Sequence, residues 1–419
     1  MFKHVFQSPF FWVFLFFYVA NEITHFVLEM INLRFVARQT SVPEAFHGHI
    51  TQETFEKAQA YTIEKTKFAL VTRLIGIPFF WMLIFMGGLQ VMDGFAAEWV
   101  GAGTLTQSVL FCLLVGAYFF FIGIPLKIYS TFVIEENHGF NQITPALFAR
   151  DLVKSILLSL VLGTPVLYAV FWFMDHAGEN WWLWVWLVLA LFQLFVITVY
   201  PTWLAPLFNK FKEVEDTVLK EKIWDLVNKI KFKISGIFVM DGSKRSSHSN
   251  AYFAGMGSFR RIVLFDTIMK QLTHEELTSV LAHEVGHNVK HHIRQMVLFT
   301  LMLSLAGFYG MSCLIGWEPF YHAFNVVLPS AHTALIIFAV SFEVFTFVFT
   351  PLINMLSRRN EYEADAFSVI VTEDKASMKS SLIKISRENL SNLKPHPAYS
   401  FFHYSHPTLT ERIRAIDAL

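Results

Sequence analysis

His283 and His287 stand four residues apart in the stretch LTSVLAHEVGHNVKHH, with Glu284 directly after the first. On a helix, side chains at this spacing project from one face a single turn apart, close enough for two imidazoles to hold one zinc ion. Glu284 then points about 100° round the axis, within reach of a water beside the metal without ligating the metal itself. The pattern is that of a metal-assisted hydrolase with Glu284 as general base. Its surroundings fit a helix: Leu277, Val280, Leu281 and Val285 form an apolar stripe, and Thr273 with Glu276 makes a capping box. Gly286 relieves crowding beside the site, at a helix-propensity cost of roughly 1 kcal/mol against Ala.

Two histidines leave the ion short of protein ligands. His291 continues the same stripe, but a rise of 1.5 Å per residue puts its backbone about 12 Å from that of His283, too far for Zn–N bonds of about 2 Å. His291 and His292 read instead as interfacial histidines. The best source of a third ligand is SRRNEYEADAF. Glu361 and Asp365 are i, i+4 neighbours there, whereas Glu363 points about 160° away from Glu361. One carboxylate on the ion and a second hydrogen-bonded to a ligand imidazole is the usual arrangement. The plainer alternative is an exposed helix face salt-bridged to Arg358 and Arg359.

The elements that must carry this chemistry lie in a greasy chain. Its 419 residues are 54% hydrophobic with 46 Phe, and the mean hydropathy is +0.46, above ordinary globular usage. A formal net charge of zero and the lack of any Lys/Arg block exclude a nucleic-acid partner. Cys112 and Cys313 both sit in apolar runs, which argues against a disulfide framework.

Seven apolar segments, about 9–33, 70–92, 105–127, 153–174, 181–203, 296–316 and 333–355, each approach the ~20 residues that cross a bilayer as a helix. Segments 93–104, 175–180 and 317–332 contain no Lys or Arg; all 33 such residues except Lys3 lie in 34–73, 127–154, 204–295 and 356–419. Under the positive-inside rule this alternation puts the N-terminus outside and the C-terminus in the cytoplasm. The first segment, with the bulky core FFWVFLFFYVA, reads as a retained helix rather than a cleaved signal peptide.

Polar residues interrupt two of these segments. Glu22, His25, Glu29 and Asn32 fall on one side of the first helix, and Glu343 sits in the middle of the seventh. They should face protein or a wet cavity rather than lipid, and an interhelical network and a cavity fit equally well. Residues 204–295 and 356–419 together make one small α+β domain split by two membrane helices, with 1–203 holding helices one to five and 296–355 helices six and seven. Within it VLKEKIWDLVNKIKF reads as an amphipathic helix, and GIFVM and RRIVLFD as short strands. Between the strands, DGSKRSSHSNAYFAGMGS supplies turn residues and has room for a third strand.

Beyond the metal motif the chain resembles the type I CAAX prenyl proteases, integral-membrane zinc endopeptidases of the gluzincin kind. The resemblance runs from about Arg34 to the C-terminus through ETFEKAQAYTIEKTKF, TFVIEENHGFNQITP, PTWLAPLFNKF, DGSKRSSHSNAYFAG, RRIVLFDT, LAHEVGHNVKHH, LSRRNEYEADAF and HYSHPTLTERI. It implies a mainly α, polytopic protein whose seven transmembrane helices enclose a chamber, with a small α+β metalloprotease domain on the cytoplasmic side. It implies one Zn2+ per chain on His283, His287 and Glu361, Glu284 as general base and Asp365 behind the ligands. His406 and Arg412 match the family's HP…ER motif and would help stabilise the developing oxyanion, with holding Glu361 in place the alternative for Arg412. Their plainer role is a helix start, with Pro407 in the first turn and Thr408 and Glu411 as a capping box. Ser249, Asn250, Ala251, Tyr252 and Phe253 match the strand whose edge takes the substrate peptide.

The resemblance implies a lipid-modified peptide or protein substrate cut after a prenylated cysteine, with membrane lipid as the other partner, in a bacterial inner membrane or an endoplasmic reticulum membrane. Rival readings are a broad quality-control membrane endopeptidase, which would share the whole site, and a seven-helix transporter or receptor with a structural metal. The last would need four protein ligands, usually Cys and His, and no Cys cluster exists. A site-two type intramembrane protease would bury the motif in a span, and THEELTSV and NVKHHIRQ are too polar for that.

Overall fold

Threonine caps set the starts of several long helices in the computed structural model, which describes residues 3–255 and 260–419. The principal helices are α1 (Pro9–Ala37), α2 (Gln52–Ile84), α3 (Gly88–Val100), α4 (Leu105–Tyr129), α5 (Pro145–His176) and α6 (Trp181–Val199). They continue with α7 (Thr217–Lys229), α8 (His274–Val289), α9 (His292–Leu314), α10 (Ala331–Thr346), α11 (Thr350–Thr372), α12 (Lys375–Glu388), α13 (Pro397–His403) and α14 (Leu409–Asp417). Thr51, Thr104 and Thr144 each accept a backbone N–H from the first turn of α2, α4 and α5, satisfying one of the donors a helix start leaves free.

Among the described residues, seven helical stretches are long and apolar enough to cross a membrane: Pro9–Ala37, Gln52–Ile84, Leu105–Asn137, Pro145–His176, Gly178–Leu207, His292–Leu314 and Ala331–Thr372. The second ends earlier than the expected 70–92. Hydropathy continues past Ile84, but Gly87 takes a left-handed φ of 87° and the chain turns. At Gly88 a Cβ would stand 2.6 Å from the Leu83 backbone. Helix α3 then packs along α4. An aromatic cluster around Phe10, Phe14, Phe85, Phe320 and Phe324 ties the first helix to this turn and to the segment before α10.

The polar residues of α1 have both partners and space. Glu22 pairs with Arg73 at 2.8 Å, Asn32 accepts the His396 N–H at 3.0 Å, and the Tyr399 hydroxyl lies 3.5 Å from Glu29. A cavity of about 840 Å³ is lined by Glu22, Glu29, Arg73 and Glu343. A second of about 610 Å³ shares Glu343 and adds His25.

Outside the spans, a four-stranded sheet has the order β1 (Phe211–Glu213), β2 (Gly236–Met240), β4 (Arg261–Phe265), β3 (Ala251–Ala254). Strands β2 and β4 run parallel and the other pairs antiparallel, so β3 is an edge. Strand β1 was not anticipated: its three residues pair with Phe238–Met240, too short a run to show alternation. Residues 256–259, at the end of the turn-rich stretch, lie outside the described residues. Leu219, Ile223 and Val227 recur every fourth residue on α7 and pack with Ile262 and Leu264 of the sheet and Leu277, Val280 and Leu281 of α8. The metal-motif helix is therefore bolted to the sheet by its apolar stripe.

Candidate active site

Two helices bring the site together. Helix α8 starts at the capping box of Thr273 and Glu276, and α11 crosses it where Gly286 faces Ala364. A Cβ on Gly286 would lie 3.3 Å from the Ala364 Cα and 3.1 Å from the Phe367 ring. That close approach, reinforced by the buried Ser368 hydroxyl donating to the Ser279 carbonyl at 2.7 Å, sets Glu361 opposite His283 and His287.

One donor atom from each of His283, His287 and Glu361 lies within 4.8 Å of the others. The two Nε2 atoms are 3.1 Å apart, and the Glu361 oxygens stand 3.5 Å and 3.3 Å from them. Among the described residues Glu361 Oε2 is buried without a hydrogen-bond partner, with the Arg412 guanidinium 3.7 Å away, a costly state for a carboxylate unless a closer cation answers it. The donor set, two imidazoles and one carboxylate, suits a divalent transition metal with an open position.

Hydrogen bonds on the far side of each ring aim the lone pairs at this point. Nδ1 of His283 lies 2.7 Å from Asp365 Oδ1. A carboxylate can only accept, so His283 carries its proton on Nδ1 and turns a bare Nε2 inward. Burial alone would depress the pKa of His283, but the Asp365 and Glu361 carboxylates outweigh it and raise it to about 9, so a binding metal displaces a second proton from Nε2. Arg412, from α14, holds Asp365 through Nε at 2.8 Å and an Nη at 2.5 Å, and a second Nη reaches 3.7 Å from Glu361.

His287 is aimed by a residue that sequence reasoning misplaced. His292 is only 3% exposed, not interfacial: its Nδ1 lies 3.0 Å from His287 Nδ1 and its Nε2 lies 3.3 Å from Glu363. Glu363 is held by Arg359 at 2.9 Å. Because Glu363 only accepts, His292 carries its proton on Nε2, its Nδ1 accepts from His287, and His287 keeps a bare Nε2. The chain achieves this by breaking at His291, whose φ of 63° is left-handed, so that α9 starts afresh and folds His292 back.

Glu284 sits half-buried on the same helix, and burial pushes its carboxyl above the ordinary range, as suits a proton acceptor working near neutrality. His406 is exposed, with Nε2 3.4 Å from Glu361 Oε1. It lies just before the capping box of Thr408 and Glu411 that begins α14. Buried Ile413 and Ile416 fix that helix against α12, so the cap and the site role of Arg412 coexist.

The stretch Ser249–Phe253 leads into edge strand β3, where Ala251, Tyr252 and Phe253 pair with Leu264, Val263 and Ile262. Ser249 differs from its neighbours. It is 5% exposed, and its backbone N–H and carbonyl are both taken by the Asn389 side chain, at 2.9 Å and 3.1 Å.

Residues 32–210 match a family described as CAAX prenyl protease N-terminal, five membrane helices, and residues 213–419 match peptidase family M48. The chain is 35% identical over 384 residues to a CAAX prenyl protease 1 homolog of Arabidopsis thaliana, covering 90% of each. It is 33% identical over 404 residues to CAAX prenyl protease 1 of Saccharomyces cerevisiae, covering 90% of this chain and 89% of that one. The crystal structure of S. mikatae Ste24p superposes with a TM-score of 0.91 at 31% identity, covering 98% of this chain and 99% of that one.

Proposed function

The chain belongs to the CAAX prenyl protease 1 family within peptidase family M48, and on that premise we propose that it is a membrane-embedded zinc endopeptidase that cuts prenylated substrates near their C-terminus. The observation that carries this reading is the convergence of His283, His287 and the unpartnered Glu361 oxygen beside Glu284.

His283, His287 and Glu361 hold the ion, and Asp365 and His292 fix the two rings. A zinc ion bound there supplies Lewis acidity, polarising the scissile carbonyl and making water a nucleophile at neutral pH. Glu284 takes the proton of the attacking water and delivers it to the leaving amine. His406 donates to the charge growing on the carbonyl oxygen, a contribution of about 3 kcal/mol for one well-placed donor. Arg412 works through Asp365, with one Nη left toward Glu361. The substrate backbone adds to β3 through main-chain hydrogen bonds, which tolerate varied side chains.

The catalytic unit consists of 204–295 and 356–419, joined by α8 and α11 across the excursion 296–355. It faces the cytoplasm, with the N-terminus outside, a topology supported by the distribution of Lys and Arg. Helix α8 ends where membrane helix α9 starts, so a lipid anchor can stay in an apolar environment while its peptide reaches the site.

Purified protein incubated with matched prenylated and non-prenylated peptides, with fragments weighed by mass spectrometry, tests the reading. The expected product is the prenylated peptide shortened by three residues. Equal turnover of both peptides would favour a broad endopeptidase instead. Glu284→Gln should keep its metal and lose activity by at least about a thousandfold.

A further inference from the structure

The free edge of β3 stops at a wall. The Asn389 amide donates to the Ser249 carbonyl and accepts from its N–H, filling the place where a further residue of an added strand would pair. A peptide lying antiparallel along β3, as β4 does on the other side, sends its C-terminal end toward Ser249 and meets that amide. Strand addition cannot continue past it.

A cavity of about 560 Å³ opens at this wall, lined by Asn389, Tyr61, Lys65 and His248 and also by His406 and Arg412 of the active site. Lys65 supplies this cavity with a cation that reaches Glu135 only across the Tyr61 hydroxyl. Its ammonium lies 3.3 Å from the Tyr61 hydroxyl and 4.7 Å from that ring, and no carboxylate pairs with it among the described residues. Glu135, the acid in this neighbourhood, is already engaged: the Tyr61 hydroxyl donates to it at 2.7 Å and His248 contacts it at 3.2 Å.

The geometry points to Lys65, with Asn389 as the end wall, as a subsite for the free C-terminal carboxylate of the peptide substrate. The inference rests on the peptidase reading above and adds a rule about where the substrate must end. Three extended residues, roughly 10 Å of chain, then occupy the cavity between the cut bond and the ammonium. Side-chain identity matters little to such a subsite; a terminal negative charge matters a great deal.

The test compares one prenylated reporter peptide ending in a free acid with the same peptide ending in an amide. Wild-type full-length protein should prefer the acid by roughly ten- to a hundredfold in kcat/KM, the range of a single charge-assisted hydrogen bond, with most of the difference in KM. In Lys65→Met the acid-to-amide ratio should fall to about one, and Lys65→Arg should recover much of it. Thermal unfolding and bound-metal content confirm that each variant is folded. Equal use of acid and amide by the wild type, or an intact preference in Lys65→Met, would overturn the subsite. Cleavage of neither peptide by the wild type would overturn the peptidase reading and the subsite with it, a result distinct from loss of the preference alone.

Discussion

The proton on His287 is placed by a side chain that touches no ligand position. His292, anchored on Glu363, accepts from Nδ1 and so leaves Nε2 bare. Groups that orient a ligand in this way typically change metal affinity by roughly 10- to 100-fold when lost. His292→Phe should therefore weaken metal binding by about that factor, measured by competition with a chelator on the purified chain. His292→Gln, whose amide can accept from His287 and donate to Glu363, should recover part of the loss; equal affinity in wild type and His292→Phe would show that the ring has no such influence. The ligand pair and Glu284 were readable because their spacing belongs to one unbroken helix. His292 was not, because its role depends on the left-handed residue before it, and nothing in NVKHHIRQ announces that break. One hint was Glu363, two residues after Glu361 and turned well away from the ligand face.

Among the helices, the crossing of α8 and α11 is set by a missing methyl group. Gly286→Ala gains about 1 kcal/mol in helix propensity, yet its Cβ must push into Ala364 and Phe367 at 3.1 to 3.3 Å. The expected outcome is little change in thermal stability and a fall of about tenfold in metal affinity, as Glu361 is moved off the histidines. Glu276 makes the opposite case, an end of α8 held by charge. Burial opposes its ionisation, but Lys384, Ser380 and the Thr273 backbone outweigh it and keep the carboxyl below its usual range. A carboxyl depressed by folding adds stability that is complete above its unfolded value and disappears as pH falls through the folded one. Glu276→Gln should thus destabilise by roughly 1–3 kcal/mol at pH 7, and the gap in thermal midpoint should close in acid. A gap independent of pH would assign the loss to packing. Helix starts were legible, since Thr273 and Thr408 announce themselves by the Glu three residues on. The turn at Gly87 and strand β1 were not: hydropathy is blind to a positive φ, and three residues show no period.

Taken as one molecule, the chain is organised by where its cations are. If the basic loops share one face of the membrane, a Cys placed at Glu179 and one placed at Lys379 must lie on opposite sides. With Cys112 and Cys313 replaced by Ala, Glu179→Cys should react with an impermeant thiol reagent only from outside, and Lys379→Cys only after the membrane is opened; labelling of both from one side would contradict the topology. This expectation rests on the positions of Lys and Arg along the chain, because membrane insertion reads charge rather than contacts. The assembly of α1 was less legible, since its partners are far away in the chain. Ser8 donates to the Pro319 carbonyl at 2.5 Å, while Asn32 and Glu29 meet His396 and Tyr399. A ribosome delivers α1 first and those partners last. Until α13 is made, Asn32 and Glu29 lack these partners, although Arg73 and the aromatic cluster already engage α1. A chain cut short after the final span would lack the partners of Asn32 and Glu29, so the cytoplasm-side end of its first span would be held less firmly than the end bound by Arg73 and the aromatic cluster.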